Sequence, residues 1–256
     1  RVIGGCCGTT PEYIKALNDK VCGLSPVTIE DENITVVSSY THAVKFTEKP
    51  VLIGERINPT GKKRFKQALI ENDIDYVLNE GVNQKEKGVH ILDVNVGLPE
   101  IDEKAMLPNV VSQLQTVLNL PLQIDTSDPV AMERAMRCYN GKPMVNSVNG
   151  KQESMHSVFP LIKKYGGVVV GLTLDENGIP EAAEGRIAIA KRIIETAAEY
   201  GIKAKDIVID VLCMTISSDK NAANVTLDAL EYISKELKVN TILGVSNVSF
   251  GLPMRE

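Results

Sequence analysis

The chain has 256 residues, of which 43% are hydrophobic and 24% charged, and its formal net charge is −5. This size and composition suit one large soluble domain, and the acidic balance argues against the clustered basic surface of a nucleic-acid-binding protein. No apolar run is long enough to span a membrane, and the first residues lack the pattern of a secretory signal peptide. Because the five cysteines show no disulfide-framework spacing, we expect a reducing, cytoplasmic location.

The first 50 residues precede the regular part of the sequence. Two adjacent cysteines, Cys6 and Cys7, lie in the glycine-rich stretch GGCCGTTPEY. Neighbouring cysteines rarely form a disulfide with each other because that bond requires a specific geometry, whereas two thiolates can supply two ligands to a zinc ion. No third or fourth ligand is visible nearby, so the residues alone do not establish a zinc site. Residues 21–50 are interpreted as a linker and capping segment.

From residue 51 onward, short apolar and β-branched runs alternate with amphipathic stretches. Near-continuous apolar strands are typical of a parallel sheet that is covered on both faces. The predicted strands are VLIGERIN (51–58), HILDVNV (90–96), LPLQIDTS (120–127), KPMVNSV (142–148), GGVVVGLTL (166–174), IVIDVL (207–212) and TILGVSNVSF (241–250).

The intervening stretches carry helical signals. Residues 104–119 have apolar side chains at helical spacing, and residues 129–139 follow Asp128, a good N-cap, with proline at the first helical position. Strands that alternate with helices in this way predict a TIM-type (β/α)8 barrel. An open doubly wound sheet is the alternative, but no strand is followed by the glycine-rich dinucleotide fingerprint. The last strand of the barrel is expected to be missing, since the chain stops at Glu256 just after the seventh.

Polar residues follow almost every predicted strand. In a parallel barrel these positions surround the active site, although each residue taken singly can equally cap a helix or form an Asx turn. Asp125 and Asp210 follow apolar residues, and a carboxylate in such a place needs hydrogen-bond donors. Carboxylates and amides together suit a flat polar heterocycle such as a pterin, whose amino and ring N–H groups match one carboxylate. The strand-end residues are Asn58, Asp93, Asn95, Asp125, Asn146, Asp210 and Asn247.

Six motifs carry a family resemblance. IGERINPTG, LDVNVG, IDTSDP, MVNSVNG, IVIDVL and GVSNVSFGLP occur in this order, each on its own strand. Together they resemble the pterin-binding domain of the cobalamin-dependent methionine synthases and of related folate:corrinoid methyltransferases. GGCCGTTPEY is similar to the tail of the homocysteine-binding barrel of the same synthases. The resemblance implies that residues 1–20 are this tail and that residues 51–256 form a dihydropteroate-synthase-like pterin-binding barrel, truncated at its C-terminus.

The resemblance also implies roles for individual residues. It places the pterin on Asp125, Asn146, Asp210 and Asn247, with Asn247 at the N5 side as the residue that assists catalysis. It implies that Cys6 and Cys7 are two of three cysteine ligands of a zinc ion in the intact homocysteine domain. The third ligand would precede residue 1, so no bound zinc is expected here. Further substrate-binding residues implied by the resemblance are Thr60, Gly61, Lys62, Asp93, Asn95 and Arg255.

The implied reaction is transfer of the N5 methyl group of 5-methyltetrahydrofolate to cob(I)alamin. The implied partners are a cobalamin-binding domain, which carries the cofactor on a separate module, and the homocysteine-binding domain, with no nucleic acid and no membrane. One alternative is methyl transfer to a corrinoid iron–sulfur protein, against which GGCCGTT argues. Others are a folate-binding module without chemistry and a dihydropteroate synthase. The synthase is disfavoured because a pyrophosphate leaving group calls for basic residues that are not found.

Overall fold

The computed structural model describes residues 2–30, 32–217 and 221–252, and the chain divides into two compact units. The shorter unit, Arg1–Asn33, contains helix α1 (Pro11–Val21). Proline at the first helical position suits this helix start, because its fixed φ is already helical and its missing N–H is not needed there. All residues of α1 are at least partly exposed.

The larger unit, Ile34–Glu256, begins with a hairpin and continues as alternating strands and helices. The hairpin pairs β1 (Val36–Ser38) with β2 (Ala43–Lys45). The sheet strands are β3 (Ile53–Ile57), β4 (Ile91–Val94), β5 (Leu122–Asp125), β6 (Met144–Asn149), β7 (Val168–Leu172), β8 (Ile207–Asp210) and β9 (Asn240–Ile242). The helices are α2 (Lys63–Ile70), α3 (Ile74–Glu86), α4 (Glu103–Val117), α5 (Pro129–Cys138), α6 (Gln152–Tyr165), α7 (Ala183–Glu199) and α8 (Ala222–Tyr232).

Within the described residues, seven strands form one sheet in the order β3-β4-β5-β6-β7-β8-β9, and every neighbouring pair is parallel. Each strand therefore lies beside its neighbour in the chain, as in a (β/α)8 barrel. Strands β3 and β9 are the two edges of the curled sheet, and the opening between them is the place of an eighth strand. The predicted fold class, a TIM-type barrel without its last strand, is confirmed.

The strands present alternate residues to two layers. On β4, Leu92 and Val94 pack in the large core between sheet and helices, whereas Ile91 belongs to a second cluster in the interior of the barrel. Because side chains of a strand alternate between its faces, Asp93 shares the interior face with Ile91. The same alternation on β5 puts Gln123 and Asp125 on the interior face, since Leu122 and Ile124 belong to the helix-facing core.

The hairpin β1–β2 closes the N-terminal end of the barrel. Its Val37 and Val44 complete the interior apolar cluster with residues such as Met144. Ser38 exchanges main-chain hydrogen bonds with Lys142, just before β6, at 2.9 and 3.0 Å. The barrel interior is therefore apolar at its N-terminal end, and the polar residues are left at the opposite end, where the strands finish.

The seventh predicted strand, 241–250, is only partly correct. Strand β9 covers Asn240–Ile242, and a 3₁₀ turn follows at Val245–Ser249. Main-chain bonds from Asn247 N to Gly244 O and from Phe250 N to Asn247 O hold this turn at 3.0 and 3.1 Å. Ser249 Oγ also donates to Ser246 O at 3.2 Å, and such local side-chain bonds compete with a sheet ladder. Asn247 therefore lies on a turn beyond the strand. Within the described residues, no helix combines the length and apolarity needed to cross a bilayer.

Candidate active site

A cavity of about 960 Å³ reaches from the start of β3, where Pro50 and Val51 line it, to the polar end of the barrel. It extends into the opening between the edge strands, because Ile53 of β3 and Ile242 of β9 both line it. Five of the residues predicted from the sequence line this one cavity, each from a different strand or the loop that follows it: Asp93, Asp125, Asn146, Asp210 and Asn247.

Asp125 is the last residue of β5 and lies opposite Asn146 in the pairing of β5 with β6. Asn95 Nδ2 donates a hydrogen bond of 2.9 Å to Asp125 Oδ2, and Asn95 is itself held because its Oδ1 accepts from Gly97 N at 2.9 Å. Asn95 thus acts on the site through Asp125. The pKa of Asp125 is raised to about 6, because burial and the charges of Glu55 and Glu103 raise it more than the hydrogen bond from Asn95 lowers it.

Asp93 and Gln123 form a buried pair beneath Asp125. Their side chains are 2% and 4% exposed, and Gln123 Nε2 donates to Asp93 Oδ1 at 2.5 Å. Burial and the charge of Asp125 raise the pKa of Asp93 well above its ordinary value, while the bond from Gln123 opposes this. Gln123 lines the cavity and was missed from the sequence. Its position two residues before Asp125, on the same face of a strand, is the signal that would have found it.

Asp210 ends β8 and is held by its own loop. Leu212 N donates to Asp210 Oδ1 at 2.8 Å, and the main-chain oxygen of Asp210 accepts from both Thr173 N and Thr173 Oγ1 at 3.1 Å. Burial raises the pKa of Asp210, whereas the bond from Leu212 and the charge of Arg186 lower it. The loop that follows β8 therefore fixes the orientation of this carboxyl group.

The loop after β3 carries three further residues of the predicted site. Thr60, Gly61 and Lys62 do not belong to the lining of the main cavity. Lys62 Nζ donates to the main-chain oxygens of Glu55 and Arg56 at 2.8 and 3.2 Å, and it lines a second cavity of about 240 Å³. Lys62 nevertheless interacts with the acidic group, since its charge lowers the pKa of Asp93 and the charge of Asp93 raises the pKa of Lys62. The substrate-binding roles of Thr60, Gly61 and Lys62 stay predictions. Arg255 lies outside the described residues.

Cys6 and Cys7 are exposed in the shorter unit, and neither forms a disulfide. Among the residues that the structure describes, no group of three or more His, Cys, Asp or Glu side chains is placed to hold a metal. Zinc sites in proteins use three or four protein ligands. The described residues therefore do not by themselves fit a zinc ion.

The main cavity combines acceptors and amides in one place. Asp125 and Asp210 supply carboxylate oxygens, and Asn146 and Asn247 each supply both a donor and an acceptor. Asn247 is exposed and lies at the mouth, on the turn after β9. The arrangement suits recognition of a polar ring, and its lining holds no serine–histidine or cysteine–histidine pair within the described residues.

Comparison with known proteins assigns the chain to a class. It belongs to the pterin-binding enzymes, since the sequence model described as "Pterin binding enzyme" matches residues 54–256. The chain is 32% identical to the methionine synthases of Mycobacterium leprae and Mycobacterium tuberculosis over 98% of its length. It spans 22% of the length of each of these relatives. The resemblance to methionine synthases that the motifs indicated is thereby confirmed.

Two further matches concern the first residues of the chain and its fold. The model of the homocysteine S-methyltransferases matches residues 1–21. Among solved structures, a dihydropteroate synthase of Xanthomonas albilineans superposes with a TM-score of 0.65 at 18% identity, over 83% of this chain and 77% of that one. At this identity the superposition establishes the fold alone.

Proposed function

We propose that the chain binds 5-methyltetrahydrofolate and transfers its N5 methyl group to cob(I)alamin, the folate half-reaction of methionine synthesis. The observation that carries the proposal is the convergence of Asp125, Asn146 and Asp210 on one cavity in a pterin-binding enzyme fold. The similarity to methionine synthases supports the choice of reaction.

The electrostatics of the cavity favour a ligand that is rich in donors. Burial raises the pKa of both Asp125 and Asp210, so the charged form of each carboxyl group is costly unless hydrogen-bond donors stabilise it. A pterin presents an amino group beside a ring N–H, and this pair of donors can meet one carboxylate with two parallel hydrogen bonds. Asn146, directly opposite Asp125 in the sheet, can bond to an adjacent ring nitrogen of either kind.

We assign Asn247 the task of supporting the methyl transfer. The corrinoid supplies the nucleophile when it is bound, so this chain needs to orient the pterin and to stabilise N5 as the methyl group leaves. Asn247 is neutral and cannot be a strong acid, but its amide can donate a hydrogen bond where charge changes in the transition state. One such preorganised donor is worth about 2.7–4 kcal/mol.

The first residues favour methionine synthesis over methyl transfer to a corrinoid iron–sulfur protein, because residues 1–21 match the homocysteine S-methyltransferases. In this proposal Cys6 and Cys7 bind zinc together with a third cysteine of an intact homocysteine-binding domain. A cobalamin-binding domain is the other partner, and the cytoplasm is the proposed location. Arg255 is proposed to contact the folate tail.

The test compares binding with turnover. Calorimetry measures the affinity for 5-methyltetrahydrofolate, and the absorbance change from cob(I)alamin to methylcobalamin under anaerobic conditions measures transfer. Asn247→Ala should reduce the transfer rate about 100-fold or more, since a lost donor of this kind costs about 2.7–4 kcal/mol, and should weaken binding much less. The exposed Asn83→Ala on α3 is the matched control and should change neither quantity.

Each outcome separates the alternatives. Absence of pterin binding by the wild-type chain would refute the proposal. Binding without conversion would favour a folate-binding module that performs no chemistry. Equal losses of binding and rate in Asn247→Ala would contradict the role assigned to Asn247.

A further inference from the structure

Arg186 is a buried cation to which the proposed function gives no task. Its side chain is 2% exposed, in helix α7. Arg186 lies on the same face of the helix as Ile189, Ala190 and Ile193, which are buried. A buried arginine among apolar neighbours is costly unless acceptors satisfy its N–H groups. The acceptors of its guanidinium group therefore identify the part of the structure that Arg186 stabilises.

The guanidinium group bonds to main-chain carbonyls. Nε donates to Pro180 O at 3.0 Å, and Nη1 donates to Val211 O and to Leu212 O, each at 2.9 Å. Two of these three acceptors are the residues that directly follow Asp210. The planar fork of arginine suits such a set of fixed acceptors, and lysine cannot reproduce it.

The segment that Arg186 holds is conformationally demanding. Leu212 has φ +60°, a left-handed conformation that is unfavourable for a residue with a branched side chain. In this conformation Leu212 N points back and donates to Asp210 Oδ1 at 2.8 Å. The orientation of the Asp210 carboxylate therefore depends on a turn, and the turn is tied down by the bonds to Arg186.

We propose that Arg186 is a positioning residue of the pterin site: through the carbonyls of Val211 and Leu212 it holds the turn that orients the carboxylate of Asp210 towards the cavity. The inference rests on the proposed function in taking Asp210 as a ligand of the pterin. It adds a residue of helix α7, outside the cavity lining, to the machinery that recognises the substrate.

The charge of Arg186 also affects a measurable quantity, the pKa of Asp210. Burial raises the pKa of Asp210, and Arg186 is the charged group that lowers it. The sulfur of Cys213 is the other ionisable group that interacts with Arg186 close to this loop. Within the described residues, the other ionisable groups that line the cavity are Glu48, Lys49, Glu55, Asp93, Asp125 and Lys238. Since they are unchanged when Arg186 is replaced, any change in the pKa of Asp210 reports on Arg186.

The first experiment needs no ligand. The pKa of Asp210 is measured from the ¹³C resonance of its carboxyl group in the wild-type chain, in Arg186→Met and in Arg192→Met. Arg192 is the matched control because it lies on the same helix and donates to another carbonyl, Gly150 O, at 3.1 Å. The pKa of Asp210 should rise in Arg186→Met and stay unchanged in Arg192→Met. An unchanged pKa in Arg186→Met would overturn the inference.

The second experiment is a double-mutant cycle on affinity for 5-methyltetrahydrofolate. Arg186→Met should weaken binding about tenfold, or about 1.4 kcal/mol, in the wild-type background. It should cause no further loss in Asp210→Asn, because its effect passes through Asp210. Additive losses would indicate a general structural role and would refute the inference. If Arg186→Met does not fold, Arg186→Lys takes its place and should also weaken binding, since it lacks the fork.

The two experiments separate the inference from the proposed function. A wild-type chain that binds no pterin would refute the proposed function, whereas the carboxyl titration would still decide whether Arg186 controls Asp210.

Discussion

Replacement of Asp125 by asparagine should stabilise the unliganded protein at neutral pH while impairing its site. The pKa of Asp125 is raised from 3.8 to about 6, so the folded state holds its proton more tightly than the unfolded chain does. Stability contributed by this group is therefore present below pH 4 and is lost as the pH rises towards 6. Above pH 6 the folded protein carries the full cost of a buried carboxylate, which a neutral amide of the same shape avoids.

The magnitude follows from the pKa shift. A shift of about two units corresponds to about 3 kcal/mol in the free energy of unfolding. The gain in Asp125→Asn should be smaller than this bound, because the hydrogen bond from Asn95 loses its charge-assisted character. A gain of about 1–2 kcal/mol at pH 7.5 is expected on that basis.

Urea unfolding at pH 7.5, 6, 5 and 4 provides the assay. The advantage of Asp125→Asn should be largest at pH 7.5 and should fall away towards pH 4, where both states of the wild-type chain become protonated at this position. Asp128→Asn is the matched control three residues further on, because Asp128 caps α5 and asparagine caps equally well. A variant that is less stable than the wild type at pH 7.5, or whose advantage does not depend on pH, would refute the reasoning.

The same group links pH to ligand binding. A pterin that donates to the ionised carboxylate should bind more weakly as the pH falls through about 6, the pKa of Asp125. Asp125→Asn should lose most of the affinity at neutral pH and most of this dependence. Calorimetric titration with 5-methyltetrahydrofolate between pH 5 and 8 checks both statements, and an affinity that is independent of pH in the wild type would contradict them.

Two further predictions concern the hairpin that closes the barrel. Tyr139→Phe should lower the free energy of unfolding by about 1–2 kcal/mol, because the buried hydroxyl donates to Ser38 O at 2.8 Å and accepts from Leu122 N at 3.1 Å; unchanged urea unfolding would contradict this. Gly141→Ala should be more damaging, since a Cβ there would lie 2.2 Å from Ser38 O on a backbone with φ +139°. Its thermal unfolding should occur at a lower temperature than that of Gly88→Ala, where φ is also positive but the space is open.

Much of the barrel could be predicted because its signals are local. Apolar runs such as IVIDVL become β8, and the pair Asp128–Pro129 starts α5 with the side chain of Asp128 accepting from Val130 N and Ala131 N. The prediction failed where local signals were ambiguous. GVSNVSF alternates like a strand, yet it forms a 3₁₀ turn that local main-chain bonds and the bond from Ser249 Oγ to Ser246 O stabilise.

The sequence by itself determined the succession of strands and helices, and with it the edge of the sheet at which Asp125, Asn146 and Asp210 meet, because parallel strands bring their carboxyl ends together. Only the tertiary structure decided the partners of these residues. Asn95 reaches Asp125 across 30 positions of the chain, and Arg186 reaches the loop after Asp210 across 25 and 26. Such contacts depend on strand register and on the rotation of each helix against the sheet, which no short stretch of sequence encodes alone.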